Sequence, residues 1–225
     1  MAEAEDEAEV REGRWAGWAG VLFSALSLVV VPLVAAPAMD PPVLGADGKA
    51  VVAWYQAHKT GFLVGNYLGI AAFVPGFVQL AVLAARVRRL EGPRGMLGGL
   101  VLATGTFTYA VFACSLIVFQ VMPFLVEPMG AQALGWLTSV WFALDGLAAA
   151  PFVIAVAWAA HRTGALSRRL VRASYAVCAL ALAMSAGSLT TSPAWLAAGG
   201  PATFAGFVAF FVWTGAIGIA MVRRR

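Results

Sequence analysis

ARVRRLEGPRGM, residues 85–96, sets four arginines and a Gly-Pro turn between two long apolar runs. The run before it, GFLVGNYLGIAAFVPGFVQLAVLAA, contains no charged residue, and neither does the run after it, LGGLVLATGTFTYAVFACSLIVFQV. A helix needs about 20 apolar residues to cross the hydrocarbon core of a bilayer. Each run is therefore long enough to cross, and the arginines mark where the chain emerges.

The same alternation recurs along the 225 residues. Six segments are long and apolar enough to span, near 15–37, 61–86, 96–126, 132–160, 170–191 and 202–222. Only 12% of residues are charged, against about 25% in a soluble domain. With six spans, every arginine falls on one side: Arg11 and Arg14, the four of 85–96, Arg162, Arg168, Arg169, Arg172, and Arg223 to Arg225. Lys49 and Lys59 fall on the other. Cytoplasmic loops are enriched in Lys and Arg. The expectation is thus an all-α integral membrane bundle of six transmembrane helices in the cell membrane, with both termini cytoplasmic. Residues 1–14 form an acidic, disordered tail, 15–222 the membrane domain, and 223–225 a basic tail. The net charge of +4 is a topology signal rather than a nucleic-acid surface, because the basic residues sit at span ends. The acidic start is the opposite of a secretory leader.

Packing is expected to rest on small residues, since lipid is as apolar as leucine and burial does not draw the helices together. Gly61, Gly65, Gly69, Ala72 and Gly76 form one stripe. Gly135, Ser139 and Ala143, with Gly146 and Ala150, form another, and Gly206, Gly215 and Gly218 a third. Trp15, Trp18, Trp136, Trp158 and Trp195 fall near span ends, as an aromatic belt would. Pro75 is expected to kink the second span. The long outer loop, 38–60, opens with turn chemistry at Asp40-Pro41-Pro42, and Asp47 then caps a short helix.

One carboxylate stands inside the apolar stretch WFALDGLAAAPF, residues 141–152. A charged acid at that depth costs about 2.5–3.5 kcal/mol on insertion scales, so Asp145 should face inward and find a hydrogen-bond partner. Tyr109, Gln120 and Glu127 form one polar stripe of span three at 100° per residue. Thr104, Thr108 and Ser115 form a second about 140° away, which places that span centrally. Asn66 starts span two, and Gln79 lies deeper and roughly opposite it. Asp145 and Glu127 are the candidate catalytic acids; Asn66, Tyr109 and Gln120 are candidate binding residues. No metal site is expected: His58 and His161 fall on opposite sides, and HExxH and CxxC motifs are absent. No cofactor motif is present either.

PPVLGADGKAVVAWYQAHKTGFLVGNYLG and LTSVWFALDGLAAAPFVIAVAWAAHRTGALSRRLVRAS resemble a broad set of small actinobacterial multi-pass proteins of unknown function. The shared features are a proline-containing outer loop, a Tyr- and His-bearing approach to span two, and an RTGAL-type inner loop. The resemblance implies six helices and no particular activity. Asp145 and Glu127 could also stand for the paired acids of integral-membrane terpene cyclases, but the helix count and the acid context of the early spans differ. Three functions are open: binding a lipophilic small molecule or partner near Asp145; an acid-catalysed cyclase or isomerase with Asp145 as general acid and Glu127 as partner; or a proton- or solute-coupled permease. The oligomeric state is open too.

Overall fold

The computed structural model describes residues 2–30, 47–124, 127–186 and 201–223. Among them are seven α-helices and no strand. They are α1 (Ala2–Val30), α2 (Gly48–Ala57), α3 (Lys59–Glu91), α4 (Leu97–Val121), α5 (Pro128–Thr163), α6 (Arg168–Ala186) and α7 (Pro201–Val222), with a 3-10 turn at Met122–Phe124 after α4. Five stretches are long and apolar enough to cross a membrane: Lys59–Glu91, Leu97–Phe124, Ala143–Thr163, Arg168–Ala186 and Pro201–Arg223. The sixth expected span, 15–37, is described only as far as Val30. Residues 2–14, expected as a disordered tail, continue α1 as helix. Ala and Glu are strong helix formers, and acids near a helix N-terminus complement its dipole.

Six helices close into a ring in the order α1, α3, α4, α5, α6, α7, and α7 returns to α1. Neighbours in the ring run antiparallel. The connections of α3 to α4 and of α5 to α6, the start of α1 and the end of α7 therefore share one end, which collects the described arginines. Lys49 and Lys59 lie at the other. Both short connections turn on a glycine with positive φ, Gly92 (81°) and Gly164 (67°). A left-handed backbone is the conformation glycine adopts without steric cost. Gly164 closes α5 by donating its N–H to Ala160 O at 3.0 Å.

Small residues bring the helices close. A Cβ on Gly17 of α1 would lie 2.6 Å from Gly218 O of α7, and one on Gly218 would lie 2.6 Å from Gly17 O. Gly76 of α3 faces the ring of Phe23, Gly146 of α5 meets Ala181 O of α6, and Gly206 of α7 meets Met184. At these positions the glycine stripes are seams within the chain. Gly61 is exposed, Gly65 and Gly69 are buried, and the side chain of Ser139 lies outside the described residues. α3 continues as helix through Pro75, and α5 through Pro151.

Side chains also bond to carbonyls across the seams, as helices in lipid require of their polar groups. Ser24 donates to Phe211 O (2.7 Å), Gln79 to Thr214 O (3.0 Å), Thr108 to Ala148 O (2.7 Å), and Trp213 Nε1 to Ser174 Oγ (2.8 Å). Aromatic rings fill the axis: Tyr109 is ringed by Phe23, Phe73, Phe77 and Phe152 at centroid distances of 5.2–5.9 Å. Trp15, Trp18 and Trp158 are exposed, as a belt requires, whereas Trp195 and the side chain of Trp136 lie outside the described residues.

α2 lies across the end opposite the arginines, against α5 and the 3-10 turn. Asp47 caps it, accepting from Lys49 N at 3.4 Å, as its sequence position implies; Asp40-Pro41-Pro42 lies outside the described residues. Val51 and Tyr55 of α2 pack with Phe62, Phe119 and Met122. Burial there pushes the Tyr55 phenol above its ordinary value. Gln56 ties the helix down by donating to Pro123 O at 3.0 Å.

Candidate functional site: the polar layer around Asp145

Asp145 points into the bundle and is 1% exposed. Its partner is Ser115 of α4, whose Oγ lies 2.8 and 3.0 Å from the two carboxyl oxygens. One hydroxyl carries one proton, so Ser115 serves one oxygen at a time. Its Oγ is also 3.1 Å from Val111 O. The Thr104, Thr108, Ser115 stripe thus faces α5 at its last two members; Thr104 bonds back to Leu100 O within α4.

Helix register places further polar groups at this depth. Phe62 meets Phe119, and Phe73 meets Tyr109, across α3 and α4. Asn66, between Phe62 and Phe73, is therefore level with Ser115 and Leu116. Seven residues are close to two full turns, so Asn66 also shares the inward face of Phe73. On α7, Phe207 and Phe210 meet Phe112 of α4. Thr203 stands one turn before Phe207 on the same side, within about a turn of the level of Ser115. On α6, Ser185 touches Gly146, the neighbour of Asp145, and bonds Ala181 O at 3.0 Å. Five helices thus contribute Asn66, Ser115, Asp145, Ser185 and Thr203 to one layer, and all five side chains are buried.

The layer falls where the hydrophobic packing breaks. The large cluster with Phe73, Tyr109, Phe112, Phe152 and Phe210 occupies the half nearer the arginines. The small cluster of Val51, Tyr55, Phe62, Phe119 and Met122 lies under α2. Among the described residues, two members of the layer have polar atoms with no hydrogen-bond partner: Asn66, through both Nδ2 and Oδ1, and Thr203, through Oγ1. Both are 0% exposed. An unmatched buried polar group costs about 1–3 kcal/mol.

The other candidates separate. Glu127 is exposed and caps α5, accepting from Met129 N at 3.0 Å and from Gly130 N. It is eighteen residues before Asp145 on the same helix, about 27 Å at 1.5 Å per residue. The two acids are not brought together, which corrects their expected pairing. Pro128 was the available signal, since proline favours the first position of a helix and makes the preceding residue its cap. Tyr109 lies in the aromatic axis nearer the arginines, and Gln79 deeper still, bonded to α7. Gln120 lies more than a turn beyond Ser115, with Oε1 buried and unpartnered. Sequence patterning missed Thr203 and Ser185, because a single small hydroxyl at a span end looks like loop polarity. Among the described residues no cluster of three or more His, Cys, Asp or Glu could hold a metal ion.

Compared with known protein families, curated proteins and solved structures, the chain matches none.

Proposed function

We propose that this chain is a multi-pass membrane protein that binds a lipophilic small molecule in the layer around Asp145. The observation that carries this reading is the pair of fully buried side chains, Asn66 and Thr203, whose polar atoms have no partner at the depth of the Ser115–Asp145 bond. Asn66 offers both a donor and an acceptor, and Thr203 a hydroxyl that does either. A ligand that matches them carries a carbonyl or hydroxyl on an otherwise apolar body. The apolar clusters above and below favour such a body, and the polar groups would fix its orientation, as in most small-molecule sites. Asp145, held by Ser115, sets the polarity of the layer. The cyclase-like alternative has lost its second acid to the α5 cap, and no observation favours a permease.

Native mass spectrometry of the detergent-purified protein tests the proposal. The wild type should retain an apolar, oxygen-bearing compound that Asn66→Leu/Thr203→Val loses while keeping its monomer mass and a cooperative melt. Equal retention by a folded variant, or no adduct on the wild type, would refute it.

A further inference from the structure

At the arginine-rich end a second feature stands apart from the Asp145 layer and does not depend on it. An open groove of about 800 Å³ runs between α3 and α4, lined by Ala81, Ala84, Ala85, Arg88, Arg89, Gly98 and Leu102 and by part of the connecting turn. That volume is in the range of small-molecule sites, about 300–1,000 Å³. Both flanking helices are long and apolar enough to cross a membrane. The groove exists because Gly98 lets the helices touch: a Cβ there would lie 2.7 Å from Ala84 O and 2.8 Å from Arg88 Cβ. Its chemistry changes along its length. Arg88 and Arg89 form the mouth, and the Arg88 guanidinium reaches the first turn of α4 beside Gly99. Seven residues further along α3, about 10 Å at 1.5 Å per residue, the walls are the exposed apolar side chains of Ala81, Ala85 and Leu102. Glu91, at the end of α3, is turned onto the chain itself and accepts from Gly98 N at 3.0 Å.

We propose that this groove binds one anionic phospholipid of the leaflet at the arginine-rich end. The Arg88 guanidinium at the mouth matches a phosphate, to which arginine can donate in bidentate fashion. The apolar track beyond them matches the first part of an acyl chain. Basic pockets between helices at a membrane surface select anionic headgroups in this way. A free phosphate would use the mouth alone and leave the apolar track without a role, so the groove is assigned to a lipid.

The test is native mass spectrometry of the full chain from nanodiscs of phosphatidylcholine doped with phosphatidylglycerol, with and without inorganic phosphate. The wild type should retain one phosphatidylglycerol about tenfold in preference to phosphatidylcholine. Arg88→Gln should lower that preference about fivefold, as expected for one basic residue near an anionic surface. Ala81→Leu/Ala85→Leu keeps both charges, fills the track from its exposed side, and should lower retention as well. Equal retention of the two lipids, an unaffected Arg88→Gln, an unaffected double-leucine variant, or displacement by inorganic phosphate would each overturn the proposal. A loss of the Asp145-layer adduct without any change in phosphatidylglycerol retention would leave it standing.

Discussion

Gly17→Ala probes the seam between α1 and α7 with a single methyl group. Its Cβ would sit 2.6 Å from Gly218 O and 2.9 Å from Val222 N, both backbone atoms that cannot rotate away. Ordinary contact begins near 3.4 Å, so the helices must separate by about 0.8 Å. Overpacking of this kind costs about 1–3 kcal/mol. The Ser24 to Phe211 O bond, two turns along the same seam, would be strained as well, adding about 0.6 kcal/mol. A total of about 2.6 kcal/mol should lower Tm by roughly 5–10 °C for a chain of this size. The assay is thermal unfolding in detergent, followed by tryptophan fluorescence. Gly13→Ala supplies the control on the same helix, because a Cβ there meets nothing within 4 Å; it should be neutral or slightly stabilising. Gly218→Ala should match Gly17→Ala, and the double variant should cost less than their sum, since one separation accommodates both methyls. If Gly17→Ala proves as harmless as Gly13→Ala, α1 does not cross α7 where described and the six-helix ring is wrong.

Ser115→Ala leaves Asp145 without its hydroxyl partner and should destabilise by about 1–3 kcal/mol; adding Asp145→Leu should recover part of the loss in the same melt. Trp213→Phe and Ser174→Ala each remove one bond between α6 and α7, so both should cost about 0.6–1.7 kcal/mol with no further loss when combined. In the delipidated protein Asn66→Leu should raise Tm, because it removes an unmatched buried amide; a lower Tm would mean that the amide has a structural partner. Burial raises the Tyr55 phenol from an ordinary value near 10. The docking energy of α2 that depends on the neutral phenol is therefore fully present below about pH 10 and declines as pH rises toward the folded-state value. The tyrosinate absorbance difference between wild type and Tyr55→Phe should accordingly be absent at pH 10.

What the amino-acid sequence made legible was the long-range pattern. Arginine clusters and apolar lengths placed α3 to α7 within a few residues, and Asp47 announced the short helix that follows it. Asp145 stood out because a carboxylate in hydrocarbon is costly wherever it points. Its partner was less legible: Ser115 was seen on a polar stripe, but joining it to Asp145 requires the register of two helices, which no periodicity within one helix supplies. Thr203 was invisible for the same reason, since its significance comes from Phe207 and Phe210 meeting Phe112 across the bundle. Glu127 misled because an acid near a span end satisfies both a catalytic and a capping interpretation, and Pro128 alone separates them. Gly17 and Gly20 escaped notice because two glycines three apart carry no helix-pairing signature until Gly218 and Gln79 are seen opposite them.

The central claim is that the arginine-bearing ends share one compartment and leave the Asp145 layer within the bilayer. Labelling of single engineered thiols at positions 11, 88, 168 and 49, in a Cys114→Ala/Cys178→Ala background and in sealed vesicles, tests it most directly. An impermeant maleimide should reach 11, 88 and 168 from the same side and 49 from the other. Residues 88 and 168 reached from opposite sides, or 11 and 88 split between them, would contradict it.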